Sequence, residues 1–135
     1  MRSAIVIDSS VVVCAVISED HRSEAAFERL SRGEALFAPA LIDYEVNHAL
    51  RRMSRVDPLI ARRIDKILDN VSELPIQRTV FNRHLLKQVL SHRDNLSAYD
   101  ASYAVLAASL DTTWVTADVK AASATTLPCA VEIIR

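Results

Sequence analysis

The sequence predicts an α/β fold: a mainly parallel central sheet of four to five strands with helices on both faces. Three observations predict it. Ala4 to Ile7 is a short continuous apolar run ending at Asp8, the pattern of a strand buried on both faces. Further strand-like runs alternate with segments of helical periodicity, as successive βα units require. The segment Leu96 to Ala108 carries Ala, Leu and Val on nearly every side, so it reads as a helix that needs layers around it.

After the first strand, Ser9 and Ser10 offer N-caps for a helix through Val11 to Ile17. That helix is Val-rich, so packing rather than propensity must hold it. Glu19 to Arg22 is a polar break. A second helix, about Ser23 to Arg32, places Ala26, Phe27 and Leu30 on one side, with Gly33 as its C′ residue. Leu36 to Ala38 is a second strand, stopped by Pro39. Leu41 to Arg55 is helical, with Ile42, Val46, Ala49, Leu50 and Met53 on one stripe and Arg51 and Arg55 opposite. Asp57-Pro58 starts another helix running to about Val71, with Pro at its first position. Leu74-Pro75-Ile76 reads as a short strand at or near an edge, where Pro is tolerated. Phe81 to Ser91 is a helix bearing Leu85, Leu86, Val89 and Leu90, and His92 to Asn95 links it to the apolar helix. Thr113 to Thr116 is a β-branched and aromatic strand leading to Asp118. A short helix, about Val119 to Ala124, and a closing strand, Val131 to Ile134, complete the chain.

The 135 residues have the length of one domain, 1–135, and half of them are hydrophobic, which excludes disorder. Gly33 is the only glycine, so neither a Walker loop nor a dinucleotide-binding loop is possible. No run is apolar enough to span a bilayer, and the N-terminal stretch from Met1 lacks a signal-like apolar region, so a cytoplasmic protein is expected. Cys14 and Cys129, far apart and in apolar surroundings, read as reduced thiols. A net charge of −1 argues against a generic polyanion binder, yet Arg51, Arg52, Arg55, Arg62 and Arg63 lie close enough to form a local basic surface.

The candidate chemistry lies in the acids. Parallel strands end on one side of a sheet, and ligands of open α/β sheets bind beyond those ends. Asp8 follows the first strand, Asp118 follows the Trp114 strand, and Asp100 and Glu45 lie early in two helices. Each also has a modest explanation. Asp8 and Asp118 are placed to cap helices, and Ser97 with Asp100 resembles a capping box. Periodicity leaves Glu45 and Asp43 as equal candidates at opposite margins of one apolar stripe. Glu45 and His48 make a single ExxH spacing, without the second that a di-iron bundle requires. Acids gathered in one volume repel unless protonated or neutralised by a cation. An all-oxygen set suits Mg²⁺ or Mn²⁺ and phosphodiester hydrolysis by activated water.

At these residues the chain resembles the PIN-domain nucleases, and among them the VapC-type toxins of prokaryotic toxin–antitoxin pairs. The resemblance rests on Ile5-Val6-Ile7-Asp8-Ser9-Ser10, Tyr44-Glu45-Val46-Asn47-His48-Ala49-Leu50, Leu96-Ser97-Ala98-Tyr99-Asp100-Ala101-Ser102-Tyr103 and Trp114-Val115-Thr116-Ala117-Asp118, in this order over essentially the whole length. It implies Asp8, Glu45, Asp100 and Asp118 as a catalytic, metal-holding set, selecting Glu45 over Asp43. It implies Thr116, Ser9 and Ser10 as supporting hydroxyls. It also implies a Mg²⁺- or Mn²⁺-dependent endoribonuclease that forms homodimers and is inhibited by a small antitoxin. Many relatives carry Gly before the Asp100 helix, and Asn95 is expected to take a left-handed turn in its place.

Arg51, Arg52, Arg55 and Lys120 are candidates for RNA phosphates or antitoxin acids. The competing readings are a PIN-type nuclease of RNA processing without an antitoxin and a receiver-like Mg²⁺-binding signalling domain. A receiver wants adjacent acids after its first strand and an Asp after its third. Here Asp8 precedes Ser9, and the Leu74-Pro75-Ile76 run leads to Gln77.

Overall fold

A computed structural model of the chain describes residues 3–124 and 126–135. The N-terminal reading touches Met1 and Arg2, which lie outside the described residues. Five strands form one sheet, β1 (Ala4–Ile7), β2 (Ala35–Pro39), β3 (Ile76–Thr79), β4 (Trp114–Thr116) and β5 (Val131–Ile133). Their order is β3-β2-β1-β4-β5, and every pairing is parallel. The expected edge position of the third strand is observed. Its strand begins only at Ile76, because Pro75 cannot donate to the ladder.

Eight helices connect the strands among the described residues: α1 (Ser9–Val16), α2 (Ser23–Leu30), α3 (Ile42–Val56), α4 (Pro58–Arg62), α5 (Ile64–Glu73), α6 (Arg83–Ser91), α7 (Ala98–Ser109) and α8 (Val119–Ala122). From β1 to β3 the chain steps toward one edge; from β4 to β5 it steps toward the other. Right-handed crossovers therefore put α1 to α5 on one face and α6 to α8 on the opposite one. Accordingly α1 packs on α2, α3 and α5, while α7 packs on α6 and against β1, β2 and β4. The reversal lies between β1 and β4, the topological switch point where open α/β sheets bind ligands.

The apolar helix behaves as its composition requires: every residue of α7 from Ala101 to Ala107 is buried. Its neighbours in the core include Ile5, Val6 and Ile7 of β1 and Trp114 and Val115 of β4, all nearly inaccessible. Both cysteines are free, and burial pushes the Cys14 thiol up to about 11, so it stays protonated and inert at neutral pH.

Several local expectations are corrected. Of the caps offered for α1, Asp8 takes the position and Ser9 and Ser10 do not; it accepts from the Ser10 N–H at 3.3 Å. Pro39 ends β2 from within it. The helix expected from Asp57 to Val71 is two, α4 and α5, broken where Arg63 leaves helical geometry at φ −104 and ψ 7. Gly33 is left-handed at φ 83 but lies two residues beyond the Ser31 cap. Asn95 takes no left-handed turn; among the described non-glycine residues Asp111 alone does, at φ 51, after α7. Leu86 and Leu90 of α6 stay 56% and 63% exposed, so the apolar side of that helix is only partly covered. No described helix is long and apolar enough to cross a membrane.

Candidate active site

The switch point sets the first pair. Ile7 is in register with Val115, and the Asp8 N–H donates to the Val115 carbonyl at 3.0 Å. Asp8 is thereby carried beside Thr116, whose hydroxyl donates to Oδ2 at 2.7 Å. Oδ1 accepts from the Ser9 hydroxyl at 3.2 Å and from the Ser10 N–H. Ser10 joins the same corner, accepting from the Ala117 N–H at 2.9 Å, 3.4 Å from the Thr116 hydroxyl oxygen. Ser9 and Thr116 thus bond the Asp8 carboxylate through their hydroxyls, and Ser10 bonds it through its N–H. Asp8 is 5% exposed and Thr116 fully buried. Burial pushes the Asp8 carboxyl above the ordinary carboxylate range, against its Thr116, Ser10 and Ser9 hydrogen bonds, and the Asp118 charge adds to the rise.

A Thr116→Val replacement keeps the shape and removes the donor. It should destabilise the protein by about 1–3 kcal/mol, because a buried carboxylate oxygen loses its closest partner. Urea denaturation at pH 7 measures this, and an unchanged midpoint would contradict the arrangement.

Glu45 and Asp100 are half-buried on α3 and α7. The Tyr103 hydroxyl, one turn beyond Asp100, donates to Glu45 Oε1 at 2.6 Å. Its ring lies parallel to that of Trp114, with centroids 6.4 Å apart. In the sequence the signal for Tyr103 is a hydroxyl in the middle of an apolar helix, which must find a partner once buried. Burial raises the Glu45 carboxyl, Tyr103 opposes, and the Asp8 charge raises it further. Burial, followed by the charges of Asp8, Asp118 and Glu45, pushes Asp100 up to about 6. Four acids, Asp8, Glu45, Asp100 and Asp118, thus repel one another across one neighbourhood. Asp43, the alternative to Glu45, instead accepts a bidentate pair from Arg78 of β3, at 2.8 Å for the closest contact.

Asp118 stands apart. It is exposed, and its Oδ1 caps α8 by accepting from the Lys120 and Ala121 N–H groups at 3.0 and 3.2 Å. Its own N–H donates to the Thr116 hydroxyl at 3.0 Å, tying it to the Asp8 corner. Arg22 braces the same turn, donating to the Ala117 carbonyl at 3.1 Å while Asp20 holds its guanidinium. Sequence reading passed over Arg22 because it lies in a polar break 95 residues away. The basic candidates Arg51, Arg52, Arg55 and Lys120 are all exposed.

The donor chemistry fits a hard divalent cation: all oxygen, with repulsion that a cation relieves. Among the described residues no three His, Cys, Asp or Glu side chains already stand as a metal-holding group. A groove of about 940 Å³, lined mainly by α2 and the turn before it, includes none of the four acids. A smaller one, about 480 Å³, is lined by Ser9, Leu41, Tyr44, Glu45, His48 and Tyr99.

Comparison with known proteins agrees with this geometry. The PIN domain family model matches residues 5–125. Ribonuclease VapC1 of Mycobacterium tuberculosis is 32% identical over 130 residues, covering 96% of this chain and 97% of that protein. Ribonuclease VapC3 of the same organism is 34% identical over 120 residues, covering 89% and 86%. Among solved structures, VapBC2 from Rickettsia felis, bound to a DNA fragment from its promoter, superposes with a TM-score of 0.68 at 12% identity, covering 98% of this chain and 99% of that one. VapC20 of M. tuberculosis, a Sarcin-Ricin loop cleaving toxin, gives 0.68 at 15% identity, covering 93% and 98%. At such identities these structures establish the fold alone, which is enough to set aside the receiver-like reading. On the family match and on relatives nearly a third identical along almost their whole length, the chain belongs to the PIN-domain family, among its VapC-type ribonucleases.

Proposed function

We propose that the chain is the toxin of a toxin–antitoxin pair, a Mg²⁺- or Mn²⁺-dependent endoribonuclease acting in the cytoplasm as the single domain 1–135. Asp8, Glu45 and Asp100 hold the cation, and Asp118 stands at the rim of the set. The observation that supports this most is the gathering of acids around Asp100, whose carboxyl is pushed up to about 6 first by burial and then by the charges of Asp8, Asp118 and Glu45. A site with this much uncompensated charge is built for a cation. When bound, such an ion supplies Lewis acidity, activating water toward phosphorus and offsetting charge on the leaving oxygen.

The chain's own residues do the positioning. Thr116, Ser9 and Ser10 fix both oxygens of Asp8. Tyr103 holds Glu45 through Oε1. Asp118, anchored on α8 and on Thr116, adds negative charge at the mouth. Arg51, Arg52, Arg55 and Lys120 supply cations for RNA phosphates or for acids of the antitoxin. The exposed apolar side of α6, Leu86 and Leu90 with nearby Val80, supports a protein partner, either the antitoxin or the second copy of a homodimer. The VapBC complexes among the structural neighbours and the VapC names of the relatives favour the toxin reading over a processing nuclease without an antitoxin.

Defined tRNA and rRNA fragments incubated with the protein should be cut with Mg²⁺ or Mn²⁺ and left intact with EDTA, as read on denaturing gels. Equal cleavage in EDTA would overturn the proposal.

A further inference from the structure

The cavity of about 480 Å³ beside the acids is within the usual size of a small-ligand site, and its walls are of an unusual kind. Tyr44 of α3 and Tyr99 at the start of α7 border it, yet they are 79% and 63% exposed. His48 and Leu41 complete the apolar and aromatic lining. Glu45 and Ser9 belong at once to this cavity and to the acid cluster. Whatever fills the cavity is therefore continuous with what the acids act upon.

A second observation extends the surface outward. Tyr44, His48, Arg51 and Arg55 recur at helical spacing, forming one exposed stripe about 16 Å long. Arg22, Arg29, Arg32, Arg63 and Arg78 each pair with an acid. Arg51, Arg52 and Arg55 have no such partner among the described residues. A stripe of rings followed by unpaired guanidiniums matches an unstacked nucleotide: rings offer faces to a base, and cations meet the backbone beyond it.

We propose that the cavity between Tyr44 and Tyr99 is a nucleobase subsite, seating one unstacked base of single-stranded RNA next to the cleaved phosphodiester, with the strand continuing along Arg51 and Arg55. The inference rests on the RNA-cleaving reading above. It adds two side chains, Tyr44 and Tyr99, as determinants of substrate binding.

Fluorescence anisotropy with 5′-labelled 12-nucleotide strands of U and of A, with Ca²⁺ in place of Mg²⁺, tests it. Tyr44→Ala and Tyr99→Ala should each raise Kd about 5- to 100-fold, the loss of one stacked base. Tyr44→Phe, which keeps the ring, should bind as the wild type does, and a strand made abasic at the seated position should bind both Tyr44→Ala and wild type equally weakly. Wild-type affinity in both alanine variants overturns the subsite. The same affinity combined with weakened binding of an amphipathic Leu/Arg peptide assigns the cavity to a protein partner and also overturns it. Mg²⁺-dependent cleavage by the wild type is followed in parallel. Cleavage with unaltered affinity in the variants defeats the subsite alone, whereas neither cleavage nor binding defeats the nuclease reading with it.

Discussion

Asp8→Asn should reduce RNA cleavage at least about 100-fold, beyond what loss of an outer-shell partner of a metal ligand costs. The substitution keeps the shape of a side chain that is 5% exposed and accepts three hydrogen bonds. What changes is charge. An amide offers one neutral oxygen where the carboxylate offers two, and its NH₂ meets donors, the Thr116 or Ser9 hydroxyl, that must reorient. The fold should persist, since the β1 ladder is backbone and the α1 cap needs one oxygen acceptor, which Asn retains. Cleavage assays beside a circular dichroism spectrum separate the two effects. A variant with native spectrum and wild-type cleavage would show that this carboxylate does no chemistry.

Asp100→Asn should make the metal-free protein more stable, the reverse of the usual effect of altering a half-buried residue. The folded pKa of Asp100 is about 6, above its ordinary 3.8, so the folded state binds the proton more tightly than the unfolded chain. Stability therefore rises as pH falls through about 6 and levels off below about 4. Above 6 the ionised carboxylate costs about 1–3 kcal/mol, the lower end reflecting its partial exposure to solvent. In EDTA at pH 7.5 the Asn variant should melt several degrees higher than the wild type, on the order of 5 °C. At pH 4.5 the difference should shrink, and it closes only below about 3.8, where the carboxyl is protonated in the unfolded chain as well. Added Mg²⁺ should raise the wild-type melting temperature more than that of the variant. Identical melting curves in EDTA at pH 7.5 would mean that these acids do not crowd one another.

Much of this was legible in the chain. The run Ala4–Ile7 could be read as a doubly buried strand because a parallel strand has no polar face to alternate with. Ser97 could be read as a cap because its oxygen serves the Asp100 N–H three residues on, a contact spanning one turn. The all-round apolar character of α7 predicted its burial, and the structure buries it from Ala101 to Ala107. Other features were not legible. The break at Arg63 interrupts a helical pattern that continues on both sides, so periodicity does not report it. Nothing in the local pattern distinguished Glu45 from Asp43, and only the fold brings Arg78, 35 residues away, onto Asp43.

By itself the sequence determined the alternation of strands and helices, the capping acids and the placing of Asp8 and Asp118 just beyond strands. These depend on contacts two to four residues apart, which side-chain periodicity encodes directly. Tertiary structure alone decided that β1 lies beside β4, that Thr116 reaches Asp8 across 108 residues and that Tyr103 reaches Glu45 across 58. Strand order depends on how whole layers pack and which way each crossover turns, and no local stretch of chain carries that information.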